Sequence, residues 1–172
     1  MDEKDSDAQF RAQNTAEVLE VLRHLGYATW IVQMLEDTVA TYLVIVHQLD
    51  PATAVKGAEA RFEKASKQTL GGLLKAIRDH DTPDHMIEHL ELFVDDRNWL
   101  AHRIFREYWR TVRDPEVALG LTLRLEGIAD RAQKIAKEFG DALDGYVVAN
   151  GVTKEQLDQA AREILRHARS GR

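Results

Sequence analysis

At 172 residues, with 44% hydrophobic side chains, the chain is long enough to bury one sizeable core and is expected to form one domain. It has no cysteine, which excludes disulfides, thiolate chemistry and a cysteine-ligated zinc and makes reducing cytoplasm the natural compartment. A net charge of -6 excludes a protein that coats nucleic acid over its whole surface, because that mode neutralises many phosphates with Lys and Arg, but it leaves room for a local basic patch.

The opening MDEKDSDAQF is acidic and polar where a secretory signal needs a basic and then an apolar stretch. Residues 1–14 are therefore expected to be a flexible acidic tail, and 15–170 a single helical-bundle domain. The most apolar run, residues 39–46, is interrupted by Thr41 and Tyr42 and is far shorter than the roughly 20 residues that span a bilayer, so no membrane partner is expected. Asn14 or Thr15 can cap a short helix carrying Val18, Leu19, Val21, Leu22 and Leu25, with Gly26 as a hinge. From 27 to 48, Ile31, Met34, Leu35, Thr38, Tyr42, Ile45 and Val46 recur at helical spacing and predict the first bundle helix. Pro51 and Thr53 open a second, over 53–67, and Gly71-Gly72 predict a bend before Ile77.

Thr82-Pro83 reads as a cap followed by proline at the first helical position. The pattern Met86, Leu90, Phe93, Val94, Leu100, Ile104, Phe105, Tyr108 then carries one long helix to about residue 112. Asp114-Pro115 repeats that start for a fourth helix, through Leu119, Leu123, Ile128, Ile135 and Phe139 to about residue 148. Thr153 with Gln156 resembles a capping box for a last helix bearing Leu157, Ile164 and Leu165. Strand signals are absent, and the connections are short. The expected fold is all-α, an up-and-down four-helix bundle of antiparallel neighbours with additional short terminal helices.

The chemically pointed feature is Arg97-Asn98-Trp99-Leu100-Ala101-His102 on the third long helix. Asn98 and His102 are i,i+4 neighbours, whereas Arg97 lies about 140° around from His102. A histidine that titrates near neutral pH can take a proton from a ribose 2'-hydroxyl or return one to the leaving oxygen. Arginine can hold the extra negative charge of a pentavalent phosphorane with its fork of donors. These groups suffice for RNA cleavage without metal or cofactor, and DNA would be immune because it lacks the nucleophile. Arg103, Arg106, Arg110 and Arg113 follow, within about 80° of one another on an ideal helix, as a stripe suited to gripping a phosphate backbone.

The motif resembles that of HEPN-domain ribonucleases, helical bundles with an Arg, a polar residue just after it and a His a few positions later, usually in a late long helix. Arg97, Asn98 and His102 match that pattern, and Leu100-Ala101 before the His is typical of it. The resemblance spans roughly 27–148 and implies a HEPN-like homodimer whose two motif helices face each other, so that two Arg/His sets share one cleft. It implies His102 as general acid/base, Arg97 as transition-state stabiliser and Asn98 orienting phosphate or imidazole, with Arg103, Arg106 and Arg110 holding RNA. Many such proteins are toxins or defence components, so an antitoxin protein is a further implied partner.

Plainer readings stand beside this one. Arg97 can pair with Asp96 or Glu91, and the arginine stripe can brace Glu107 or Asp114 as a solvated face. A non-catalytic bundle can bind RNA, a nucleotide or a protein partner at the same groove, and a purely structural dimerisation module needs no site at all. His85-Met86-Ile87-Glu88-His89 spells H-x-x-E-H, a zinc-hydrolase pattern, but such enzymes use a distant glutamate ligand and a larger, sheet-bearing scaffold. Glu36, Asp37, Asp95 and Asp96 do not repeat the paired Glu-x-x-His of di-iron bundles. Trp30, Trp99 and Trp109 are expected to be core or interface anchors rather than base-stacking platforms.

Overall fold

The computed structural model describes residues 3–48 and 58–151, with side chains from residue 15 and residue 60 onward in the two stretches. All regular structure among the described residues is helical. In chain order it comprises α1 (Glu3–Tyr42), a π-helical continuation (Leu43–Gln48), α2 (Ala58–Ser66), α3 (Leu70–Arg78), α4 (Asp84–His102), α5 (Ile104–Tyr108) and α6 (Pro115–Ala149).

α1 is longer than its sequence predicts. Val21, Ala28, Ile31, Val32, Leu35, Val39, Tyr42 and Leu43 are all buried at three- and four-residue spacing, which draws one continuous helix against the core. Gly26 is not a hinge: it lies inside α1 with open space where a Cβ would be. Nor are residues 3–14 outside regular structure, since α1 begins at Glu3. The π-helical turn then widens the helix, so that Leu43 and Val44 are both buried while His47 swings towards the α3–α4 turn.

The break in the second arm falls before the two glycines. Thr69 caps α3, its Oγ1 accepting from the Gly72 N–H at 3.4 Å, so Gly71 and Gly72 occupy the first turn of that helix. Pro83, rather than Thr82, is the residue that precedes α4, and the Thr82 hydroxyl is hydrogen-bonded to His47 Nε2 at 3.0 Å. The expected start at Pro51 and Thr53 and the last helix from Thr153 lie outside the described residues. Asp114 behaves as its sequence predicts, its carboxylate accepting from the N–H groups of Glu116 and Val117 with Pro115 at the first helical position.

α1 and α6 form the most extensive packing in the molecule, and they run parallel. His24 Nε2 lies 2.9 Å from a Glu126 carboxylate oxygen, Gln133 donates to the Tyr27 hydroxyl at 2.7 Å, and Tyr42 meets Phe139 edge to face at 5.2 Å, with residue numbers rising together along both helices. This corrects the expectation that neighbours are antiparallel. α4 does run antiparallel to α6, as its Asp96–Arg131 and His89–Glu138 pairs show. One core joins the helices, centred on Leu35, Leu43, Leu70, Ile77, Leu90, Phe93, Leu125, Ile128 and Phe139.

Continuity also makes the apolar part of the first helix longer than residues 39–46. Thr15–Gln48 contains an 18-residue stretch of mean hydropathy 1.2, long and apolar enough to cross a membrane by length and composition alone. In the structure 44% of that stretch is buried inside the bundle.

Candidate nucleic-acid interface at the end of α4

α4 meets the core through Met86, Leu90, Phe93, Leu100 and, across its end, Ile104. Their spacing alternates four and three residues, and Arg97 occupies the place in that stripe between Phe93 and Leu100. A guanidinium on a core-facing position needs a partner. Arg97 finds one on α1: its Nε donates to Glu36 Oε1 at 2.8 Å, and the two side chains are only 17% and 19% exposed. The same oxygen accepts the Leu70 N–H at 3.2 Å, so one carboxylate ties α4, α1 and the first turn of α3 together. Among the described residues the Nη groups of Arg97 make no hydrogen bond.

His102, the last residue of α4, lies off that stripe and is exposed; its side chain has no hydrogen-bond or ion-pair partner among the described residues. The structure therefore does not bring Arg97 and His102 of one chain into contact: Arg97 engages α1 and His102 faces solvent. Asn98 is half-buried between them.

The long motif helix also ends ten residues early. It is interrupted at Arg103, resumes as α5 and gives way to turns after Tyr108. Neither proline nor glycine occurs there, but Trp99 Nε1 donates to Glu107 Oε2 at 2.8 Å across the break. In a straight helix those positions are about 12 Å apart along the axis, a span the side chains close more easily once the helix is interrupted.

Arg103, Arg106, Arg110 and Arg113 are nevertheless all exposed. The four carboxylates that the sequence offered to the motif as partners are engaged elsewhere: Glu91 with Arg78, Asp96 with Arg131, Glu107 with Trp99, and Asp114 with the α6 N–H groups. Arg106 reaches only the His102 carbonyl, at 3.3 Å, and Arg103, Arg110 and Arg113 have no ion pair among the described residues. Residues 97–113 hold five arginines against one glutamate, in a chain of net charge -6. Phe105 and Trp109, 57% and 69% exposed, stand among these cations, and a cleft of about 330 Å³ lined by Val18, Trp109, Arg110, Val112 and Arg113 opens beside them. Cations with uncovered aromatic faces are the ingredients of a single-strand nucleic-acid surface.

Two contributors were hidden from the sequence. Glu36 holds Arg97 from a distance of 61 positions, although the stripe of α4 already marks residue 97 as core-facing and in need of a counter-charge. Arg124 of α6 lies with its Cζ 3.6 Å from the centre of the Trp99 ring, and no periodicity announces that. Trp99 is a buried anchor at 2% exposure, whereas Trp30 and Trp109 are open to solvent in the single chain.

The chain matches no protein-family model, no curated protein and no solved structure.

The second motif goes another way. His85 Nε2 and His89 Nδ1 lie 3.1 and 2.9 Å from the two carboxylate oxygens of Glu138, which joins α4 to α6. Among the described residues no group of three or more imidazole and carboxylate side chains is arranged to hold a metal ion. The large groove of about 560 Å³ beside this cluster, floored by Leu92, Phe93 and Ile135, lies away from His102 along α4. Of the acidic residues considered as a metal site, Glu36 and Asp96 are taken up by Arg97 and Arg131.

Proposed function

We propose that the chain is a metal-independent endoribonuclease of HEPN type, working as a homodimer in the cytoplasm. What supports this most is the run of exposed arginines without carboxylate partners, Arg103, Arg106, Arg110 and Arg113, that follows an exposed His102, on a chain otherwise rich in acid. Phosphates are the natural counter-charge for such a run.

In this reading His102 takes the proton of a ribose 2'-hydroxyl, whose oxygen attacks the adjacent phosphorus. The bond to the 5'-oxygen of the next nucleotide breaks, that oxygen receives a proton, and a 2',3'-cyclic phosphate remains. Glu36 fixes Arg97 through Nε and leaves its Nη groups for the phosphorane charge. Asn98 orients phosphate or imidazole, and Arg103, Arg106 and Arg110 grip the strand. A second copy supplies the facing half of the cleft, and an antitoxin protein is the partner to look for if the enzyme is a toxin.

Mixed-sequence RNA incubated with the purified chain in excess chelator should be cut, and His102→Ala should slow cutting by about a hundredfold or more with its helical circular dichroism intact. Unchanged cutting by that variant would remove His102 from the mechanism. The pairing of Arg97 with Glu36 favours a second reading, a non-catalytic bundle that binds RNA through the same arginines while Arg97 serves the core. Binding without cutting is its signature.

A further inference from the structure

We propose that Arg124 of α6 is a phosphate-binding residue of this RNA-binding surface, presented near the end of α4 on a tryptophan platform. The inference rests on the RNA-binding part of the reading above.

The platform is rigid. Trp99 is 2% exposed, its Nε1 is committed to Glu107 at 2.8 Å, and Tyr108 packs edge-on against it at 6.0 Å. The Arg124 guanidinium lies over this ring, its Cζ 3.6 Å from the centre. Stacking occupies the face of a guanidinium and leaves its in-plane N–H donors pointing outward, where a planar fork matches two phosphate oxygens. It also restricts a long side chain in advance, so less freedom is lost when an anion arrives.

Location follows from register. Trp99 and His102 are i,i+3 neighbours on α4, with Cβ atoms about 5–6 Å apart. α6 runs antiparallel, and Arg131 meets Asp96. Two turns earlier on α6, Arg124 therefore stands level with the 99–103 turn of α4, the turn that ends in His102 and Arg103.

Charge bookkeeping separates Arg124 from the structural arginines. Arg23, Arg78, Arg97 and Arg131 each hold a carboxylate. Arg124 is exposed and has no ion pair among the described residues.

The test measures binding of a fluorescent, mixed-sequence single-stranded RNA by the full chain across a salt series, for the wild type, Arg124→Met and Arg124→Lys. Methionine keeps an apolar cover on Trp99 and removes the charge together with its N–H donors. We expect Arg124→Met to bind roughly fivefold more weakly, with the slope of log affinity against log salt smaller by about 0.7, the loss of one single-strand phosphate contact. Arg124→Lys should recover the slope, because it restores the cation. A purely structural role would lower the thermal midpoint of Arg124→Met and leave the salt slope alone, which overturns the inference. If the wild type binds RNA and Arg124→Met binds identically, only this inference fails. If the wild type binds no RNA, the functional reading and the inference fall together.

Discussion

Arg97 holds a place in the α4 stripe where leucine would be ordinary, and the charge is tolerated because Glu36 meets it in the same half-buried layer. Arg97→Met should therefore destabilise the fold, since it strands a carboxylate whose remaining described partner is the Leu70 N–H. The expected cost is about 1.5–3 kcal/mol in urea unfolding, the range for a hydrogen bond to a charged group. Adding Glu36→Gln to that variant should recover part of the loss, because the stranded charge is then gone. A single variant as stable as wild type would show that the pair braces nothing and would free Arg97 for catalysis alone. His102 is the opposite case, a side chain with no structural duty among the described residues, whose replacement should touch chemistry and leave stability unmoved.

At the scale of elements, the junction between the π-helical end of α1 and the α3–α4 turn is built on histidine. The His47 ring stacks on His80 with centres 4.7 Å apart, meets Tyr42 edge-on at 5.2 Å, and bonds to the buried Thr82 hydroxyl. Burial, aided by the neighbouring His80 and opposed by Asp81, pushes the His47 imidazole below its ordinary value. The folded state then binds fewer protons than the unfolded chain as the medium acidifies, so stability rises with pH. This contribution is complete above the unfolded value, about 6.5, and is lost as pH falls through the lowered folded value. Thermal midpoints taken from pH 8 to pH 5 should decline for the wild type and decline less for His47→Gln; parallel curves would remove the junction as the cause. The break between α4 and α5 is likewise an element-scale event: the Trp99–Glu107 bond spans the point where periodicity alone continues a single helix.

For the whole molecule, the feature that bears on assembly is its exposed apolar side chains. Trp30, Leu92, Phe105, Trp109, Leu119 and Leu123 are each more than half exposed, more large apolar surface than isolated positions on a small monomer usually show. A shared cleft requires two copies. Sedimentation of the full chain at micromolar concentration should therefore give twice the 19.6 kDa of one chain, and a monomer would defeat the two-subunit arrangement of the proposed site.

By itself the sequence determined that the chain is helical, that Asp114-Pro115 opens α6, that α4 turns a stripe from Met86 to Leu100 inward, and that cations crowd residues 97–113. Those features are local: caps, proline geometry and three- and four-residue spacing act between neighbours in the chain. Only the tertiary structure decided that Gly26 stays helical, that α1 and α6 lie parallel, that Arg97 answers Glu36 and that Arg124 covers Trp99. Each of these depends on which helix lies alongside another. Burial against a neighbour can outweigh the cost of about 1 kcal/mol that one glycine imposes on a helix. A counter-charge or a stacking partner can come from any residue the packing brings within a few ångströms, and nothing in the local pattern says which one that will be.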